Sequence, residues 1–171
     1  MVEIKKYIWI FPFIGGLIIL ISFLTPAATF AYQESSFYSE FYRWMLDFYI
    51  AFDYTNGILT TTRIGLNTSF TGYISFTISF LIIGLNIFLL ISTIRYKKRN
   101  ISPKSIWLVF PILTVMLTIT WMVMKEVSTI LSHNHSFWGL LSPGFGMIGL
   151  FLGAGLEIIG YILLKKKLRK E

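Results

Sequence analysis

The sequence contains no cysteine. Disulfides, cysteine metal sites, haem attachment and thiol nucleophiles are thereby excluded, and any segment outside the cytoplasm must hold its shape by packing alone. Charge is scarce as well. Asp, Glu, Lys and Arg make up 13% of the 171 residues, where a soluble domain carries about 25%. That is too little polar surface to cover a water-facing globule of this length. Histidine occurs twice. No P-loop, Rossmann glycine pattern, H-E-x-x-H, G-x-S-x-G or paired-carboxylate constellation is present. The run Gly144-Phe145-Gly146-Met147-Ile148-Gly149 fits G-x-G-x-x-G but opens an apolar stretch and follows no strand. With so little catalytic material, the sequence predicts a protein that is not an enzyme and carries no cofactor.

What is abundant is apolar. Hydrophobic residues make up 55% of the chain and aromatics 18%. A helix needs about 20 apolar residues to cross roughly 30 Å of hydrocarbon. Four stretches qualify, at residues 7–25, 72–94, 105–124 and 144–164; none holds Lys or Arg, and only the last holds an acid, Glu157. Between them lie an outer loop at 26–71, an inner loop at 95–104 and a second outer loop at 125–143, and a basic tail follows at 165–171. The expected fold class is an all-α membrane protein: one membrane domain built as a four-transmembrane-helix bundle, with an ordered first extracellular loop. A cleaved signal peptide is the rival reading of the first 25 residues. Its apolar run exceeds the usual 7–15 residues, carries Trp9, Phe11, Pro12 and Phe13, and is followed by no A-x-A triplet. A retained helix is favoured.

The net charge is +7, and its placement matters more than its size. Lys5 and Lys6 precede the first span, Arg95, Lys97, Lys98, Arg99 and Lys104 lie between the second and third, and Lys165, Lys166, Lys167, Arg169 and Lys170 follow the fourth. Four spans put all three clusters on one side, and the positive-inside rule makes it the cytoplasm, so both termini are expected there. These clusters suit anionic lipid headgroups, and nucleic acid is not an expected partner. Asn67-Thr68-Ser69 and Asn134-His135-Ser136 are glycosylation sequons on the outer side; Asn100-Ile101-Ser102 fits the pattern on the inner side.

In the first outer loop Phe37, Phe41, Trp44 and Phe48 recur at helical spacing, and Ser36, Glu40, Arg43 and Asp47 recur on another face. This predicts an amphipathic helix with Glu40–Arg43 and Arg43–Asp47 ion pairs. Trp44, Phe41, Arg43 and Asp47 are its candidate outer surface. Further on, Asn56-Gly57 signals a hairpin turn, with strands at 48–54 and 58–64 as the competing reading. In the second outer loop His133 and His135 have the alternation that lets two histidines share a metal on a strand, but no third ligand lies nearby. Polar loop residues are the simpler reading. Lys125 and Glu126 mark the outer boundary of the third span, with Lys125 reaching to water.

Polar residues inside a span are functional candidates, because lipid makes them costly. Gly146, Gly149, Gly153, Glu157 and Gly160 fall within a helical arc of roughly 80°, so Glu157 shares a small-residue packing face. Ser75, Ser79, Asn86 and Thr93 fall within roughly 40° on the second span. Asn86 and Glu157 lie at similar depth, and a hydrogen bond between them is expected. Thr114 and Thr118 share one face of the third span, Pro111 is a candidate kink, and Gly15 and Gly16 permit close approach in the first. The polar positions Glu157, Asn86, Ser79 and Thr114 are read either as glue that sets helix register or as a proton or cation site.

The order of segments, with Trp44 and Asn56-Gly57-Ile58 in the long first outer loop, resembles the claudins and related tetraspan proteins. The resemblance is one of topology. The claudin first loop carries a Trp, then Gly-Leu-Trp and two cysteines, and folds as a β-sheet; here the cysteines are missing and the loop pattern reads as helical. The functional expectation is a non-enzymatic tetraspan protein of the plasma membrane, structural, assembling or adhesive, forming homo-oligomers or serving a larger membrane complex. The alternative is a small transport or channel component using Glu157 with Asn86.

Overall fold

The structure is a computed structural model that describes residues 7–99 and 105–168. Lys5, Lys6, Lys104, Arg169, Lys170 and the Asn100 sequon lie outside the described residues, as do the side chains of Arg99, His133, Lys167 and Leu168. The elements are α1 (Ile10–Ser22), β1 (Ala28–Glu34), β2 (Phe37–Arg43), β3 (Phe48–Thr55), β4 (Ile58–Leu66), α2 (Phe70–Arg99), α3 (Ile106–His133), α4 (Phe137–Leu140), β5 (Ser142–Pro143) and α5 (Phe145–Leu168).

The all-α expectation is overturned by a five-stranded antiparallel sheet in the order β4-β3-β2-β1-β5. The segment read as an amphipathic helix is strand β2 and the turn that follows it. A spacing of four is ambiguous, because it returns to the same side of a strand as well as to the same side of a helix. Phe37 and Phe41 satisfy both, and the local run Phe37-Tyr38-Ser39-Glu40-Phe41-Tyr42 is rich in residues that suit a pleated surface. Cross-strand partners then settle the matter. Ser39 Oγ donates to Asp53 Oδ1 at 2.7 Å, Tyr38 meets Tyr54 with ring centroids 5.6 Å apart, and Phe41 stacks on Tyr49 at 5.7 Å. Asn56 and Gly57, at φ 51° and 76°, make the turn between β3 and β4; positive φ at both central positions is what a tight, right-twisted hairpin requires. Gly65, opposite Tyr49, leaves room for its ring: a Cβ there would lie 2.5 Å from the Tyr49 hydroxyl.

The four-span bundle is corrected as well. Among the described residues three helices are long and apolar enough to cross a membrane: Phe70–Lys98, Ile106–Ser132 and Phe145–Lys166. The first apolar stretch forms a helix of 13 residues, which at about 1.5 Å per residue covers roughly 20 Å, short of the roughly 30 Å hydrocarbon core. Helix α3 runs to His133, well beyond the expected end at 124. A Lys-Glu pair ends an apolar surface but not a helix, since both residues are good helix formers.

The chain divides into two compact units: Met1–Ile21, Phe80–Thr118 and Gly149–Glu171 in one, Ser22–Ser79 and Ile119–Ile148 in the other. In the first, Ile8, Leu89, Tyr96, Trp107 and Leu164 form a buried cluster, with Tyr96 edge-on to Trp107 at 5.2 Å. Backbones approach closely there: a Cβ on Gly15 would sit 2.5 Å from the Gly153 carbonyl oxygen, and one on Gly160 would sit 2.5 Å from Pro12. In the second, Phe137 is buried beneath an aromatic group, 6.3 Å from Trp121 and 4.7 Å from Trp138. Strand β5 closes this unit by pairing Ser142 with Thr29 and Pro143 with Ala28.

Candidate functional site

Residues 44–47 turn the chain from β2 into β3. Trp44 N donates to Phe48 O and Asp47 N to Trp44 O, both at 2.9 Å, and Asp47 takes φ 64°, a conformation Asp tolerates better than most residues. The turn drives the Asp47 carboxylate inward, and the side chain is 0% exposed. A buried carboxylate needs charged or hydrogen-bonding partners, and Asp47 has three. Arg43 Nε donates to Oδ1 at 2.6 Å, Asn67 Nδ2 donates to Oδ2 at 2.9 Å, and Lys125 Nζ donates to Oδ2. The Asn67 backbone N–H adds a bond to the Asp47 carbonyl at 3.2 Å. One aspartate thus joins the β2–β3 turn, the segment before α2, and helix α3.

The cluster holds two cations and one anion. Glu126, the next residue after Lys125, does not offset it: its carboxylate accepts from Ser136 Oγ at 2.7 Å and from Trp138 N at 3.0 Å. A groove of about 460 Å³ opens over the cluster, walled by Arg43 and Lys125, by hydroxyls including Ser69, Thr71 and Ser132, and by Phe41 and Phe137. A larger hollow of about 870 Å³ lies at the hairpin tips around Ser35, Tyr38, Tyr54 and Asn56, with no charged residue in its lining. There Tyr38 donates to Glu40 Oε1 at 2.6 Å. The carboxylate, by accepting that bond, pushes the Tyr38 phenol up to about 12.

The candidate outer-surface residues are placed as follows. Phe41 and Trp44 are half-buried, and Trp44 Nε1 donates to Leu24 O at 3.2 Å. Arg43 and Asp47 form the anticipated pair across a turn instead of along a helix. Asp47 is a buried anchor and not a surface residue. Lys125, read as reaching to water, is 2% exposed. The signal for it was its isolation, as one of three basic residues outside the three clusters; its partner, 78 residues away, left no local trace. Asn67, the sequon asparagine, spends on Asp47 the amide nitrogen that a glycan would need.

The polar positions of the long helices are buried: Ser79, Thr93 and Thr118 at 0% exposure, Glu157 at 1%, Asn86 and Thr114 at 2%. Most hydroxyls are satisfied within their own helix, Ser79 on Ser75 O, Thr93 on Leu89 O and Thr118 on Thr114 O. Asn86 is different. It was expected to bond Glu157, but its Nδ2 donates to Gly16 O at 2.8 Å. Asn86 Oδ1 and Glu157 Oε1 are both buried without a hydrogen-bond partner among the described residues. They lie against consecutive glycines: a Cβ on Gly16 would be 3.1 Å from Asn86 Oδ1, and one on Gly15 would be 2.9 Å from Glu157 Cγ. Gly146, Gly149, Gly153 and Gly160 are all buried.

His135 is exposed, and His133 ends α3. Among the described residues no group of three or more His, Cys, Asp or Glu is placed to hold a metal ion.

No protein-family model matches the chain, and no curated protein matches it.

Proposed function

We propose that this chain is a non-enzymatic, multi-pass protein of the plasma membrane that works by assembly, either with copies of itself or as a subunit of a larger membrane complex. The observation that carries the reading is strand β4. It is a nine-residue edge strand exposed at every position but one, and Ile58, Ile64 and Leu66 are 70%, 65% and 54% exposed. A long exposed sheet edge offers unpaired backbone groups to another chain, and here apolar Ile58, Leu59, Ile64 and Leu66 flank a polar centre of three threonines and Arg63. Two helix glycines support lateral contact in the same sense. Among the described residues nothing lies within 4 Å of where a Cβ would stand on Gly84 or Gly155, so each offers a second helix a close approach. Lys97, Lys98, Lys165 and Lys166 are exposed near helix ends, where anionic headgroups of the cytoplasmic leaflet would take them up. A sheet in the first loop also removes one departure from the claudin pattern, which leaves an adhesive role for the outer segment within this reading.

The absence of native cysteine makes the test clean. A single cysteine at Thr62 of β4 should give a disulfide-linked product on mild oxidation in native membranes, and one at exposed Leu131 of α3 should not. Exclusive recovery of monomer with no co-purifying subunit would sink the proposal.

A second reading, a small transport component, is favoured by one observation: the unpartnered Oε1 of Glu157 and Oδ1 of Asn86. Two buried acceptors without donors suit a site that takes up a proton or small cation. Flux across liposomes containing the purified chain, lost on Glu157→Gln, supports it; absence of flux in the native chain rejects it.

A further inference from the structure

We propose that the groove over Arg43 and Lys125 is a binding site for a phosphate-bearing anion. Two cations share one carboxylate whose Oδ1 and Oδ2 are both engaged, and the adjacent carboxylate of Glu126 is committed to Ser136 and Trp138. The surplus positive charge therefore has no acid among the groove-lining residues to neutralise it. Taken from water, such a charge is costly unless paired.

Geometry says where the missing charge belongs. Lys125 is sealed, its side chain 3% exposed, but Arg43 is 17% exposed and lines the groove. Arg43 grips Asp47 through Nε. The terminal N–H groups of a guanidinium form a planar fork that matches two oxygens of a phosphate. The Phe137 ring lies beside the guanidinium, its centroid 5.7 Å from Arg43 Cζ. Hydroxyls of Ser69, Thr71, Ser128 and Ser132 line the same groove and supply neutral donors. The volume of about 460 Å³ falls in the roughly 300–1,000 Å³ range of small-ligand sites. The apolar wall of Phe41, Phe137 and Leu141 suits the glycerol and upper acyl part of a phospholipid. The groove also sits where α2 begins and membrane-length α3 ends, the level at which headgroups lie. A free phosphate ion offers the same oxygens without the acyl chains.

The full chain, purified in detergent with added phosphatidylglycerol, should retain one such lipid per chain in native mass spectrometry. Arg43→Gln leaves Asp47 and Lys125 as a one-to-one pair and should weaken retention roughly tenfold, the value of one charge-assisted hydrogen bond. Ser132→Ala should weaken it less and serves as the folded variant if Arg43→Gln is poorly expressed. Competition by millimolar inorganic phosphate identifies the bare ion as sufficient; retention that phosphate leaves untouched identifies the lipid. Equal retention in the native chain, Arg43→Gln and Ser132→Ala, or binding of neither probe by the native chain, overturns the proposal.

Discussion

Lys125 Nζ donates to Asp47 Oδ2, and the two residues are 78 positions apart in the chain. The lysine comes from a helix, the aspartate from a strand turn, and both are buried. Asp47 also holds Arg43 and Asn67, while for Lys125 the aspartate is the counter-charge. A lone buried charge at either one would be strongly unfavourable.

Breaking this pair from one side should therefore be costly. Lys125→Met leaves Asp47 paired with Arg43 and Asn67 and should cost little, whereas Asp47→Leu leaves the buried Lys125 without its counter-charge and should destabilise the sheet unit by about 3–5 kcal/mol. Asp47→Leu combined with Lys125→Met should recover part of that loss. Thermal unfolding in detergent, followed by tryptophan fluorescence, measures both. Additive losses would show that the two side chains do not depend on each other.

The glycine contacts of α1 make a separate expectation. Gly15→Leu forces side-chain atoms where the Gly153 carbonyl and Glu157 already stand, and overpacking of this kind costs about 1–3 kcal/mol. A Cβ on Gly84 would have nothing within 4 Å among the described residues, so Gly84→Leu should not destabilise the monomer. If Gly84 lies in a contact between chains, the same change should lower the amount of cross-linked product.

Asn86→Leu removes the donor to Gly16 O. Side-chain hydrogen bonds between membrane helices are worth about 0.6 kcal/mol on average, so the loss should be small. Glu157→Gln combined with Asn86→Leu tests whether the two residues interact although the Asn86 amide bonds Gly16. A coupling near zero would assign them independent roles.

Tyr38 gives a pH signature. Its bond to Glu40 raises the phenol from 10.0 to about 12 in the folded chain. A raised folded value means that this contribution is complete below pH 10 and fades as pH climbs toward 12. Absorbance titration at the phenolate band should find Tyr38 among a late-titrating group that includes Tyr32 and Tyr42, and Glu40→Gln should bring Tyr38 back toward the ordinary range. An unchanged titration in that variant would show that Glu40 is not the cause.

How much of this was legible beforehand depends on range. Residue composition marked the long apolar helices, because lipid demands length and apolarity from consecutive residues. Asn56-Gly57 marked its turn, because positive φ is a local requirement. The strands β1 and β2 were illegible as strands: Phe37 and Phe41 obey both periods, and the pairs that decide, Ser39 with Asp53 and Tyr38 with Tyr54, join different strands. Strand β5 has two residues, too few to show a pattern. Burial of Asn86 and Glu157 followed from their helical faces, but the partner of Asn86 did not, since Gly16 accepts through a backbone carbonyl and glycine advertises no acceptor in a side-chain pattern.

The pairing of β5 with β1 has a consequence for how the protein is made. Ala28 leaves the ribosome long before Pro143, the residue it must pair with, and at about 5–20 residues per second even the shorter gap from Asp47 to Lys125, 78 residues, lasts roughly 4–16 s. For that interval the nascent sheet has an open edge at β1, and Asp47 has Arg43 as its cation but not yet Lys125.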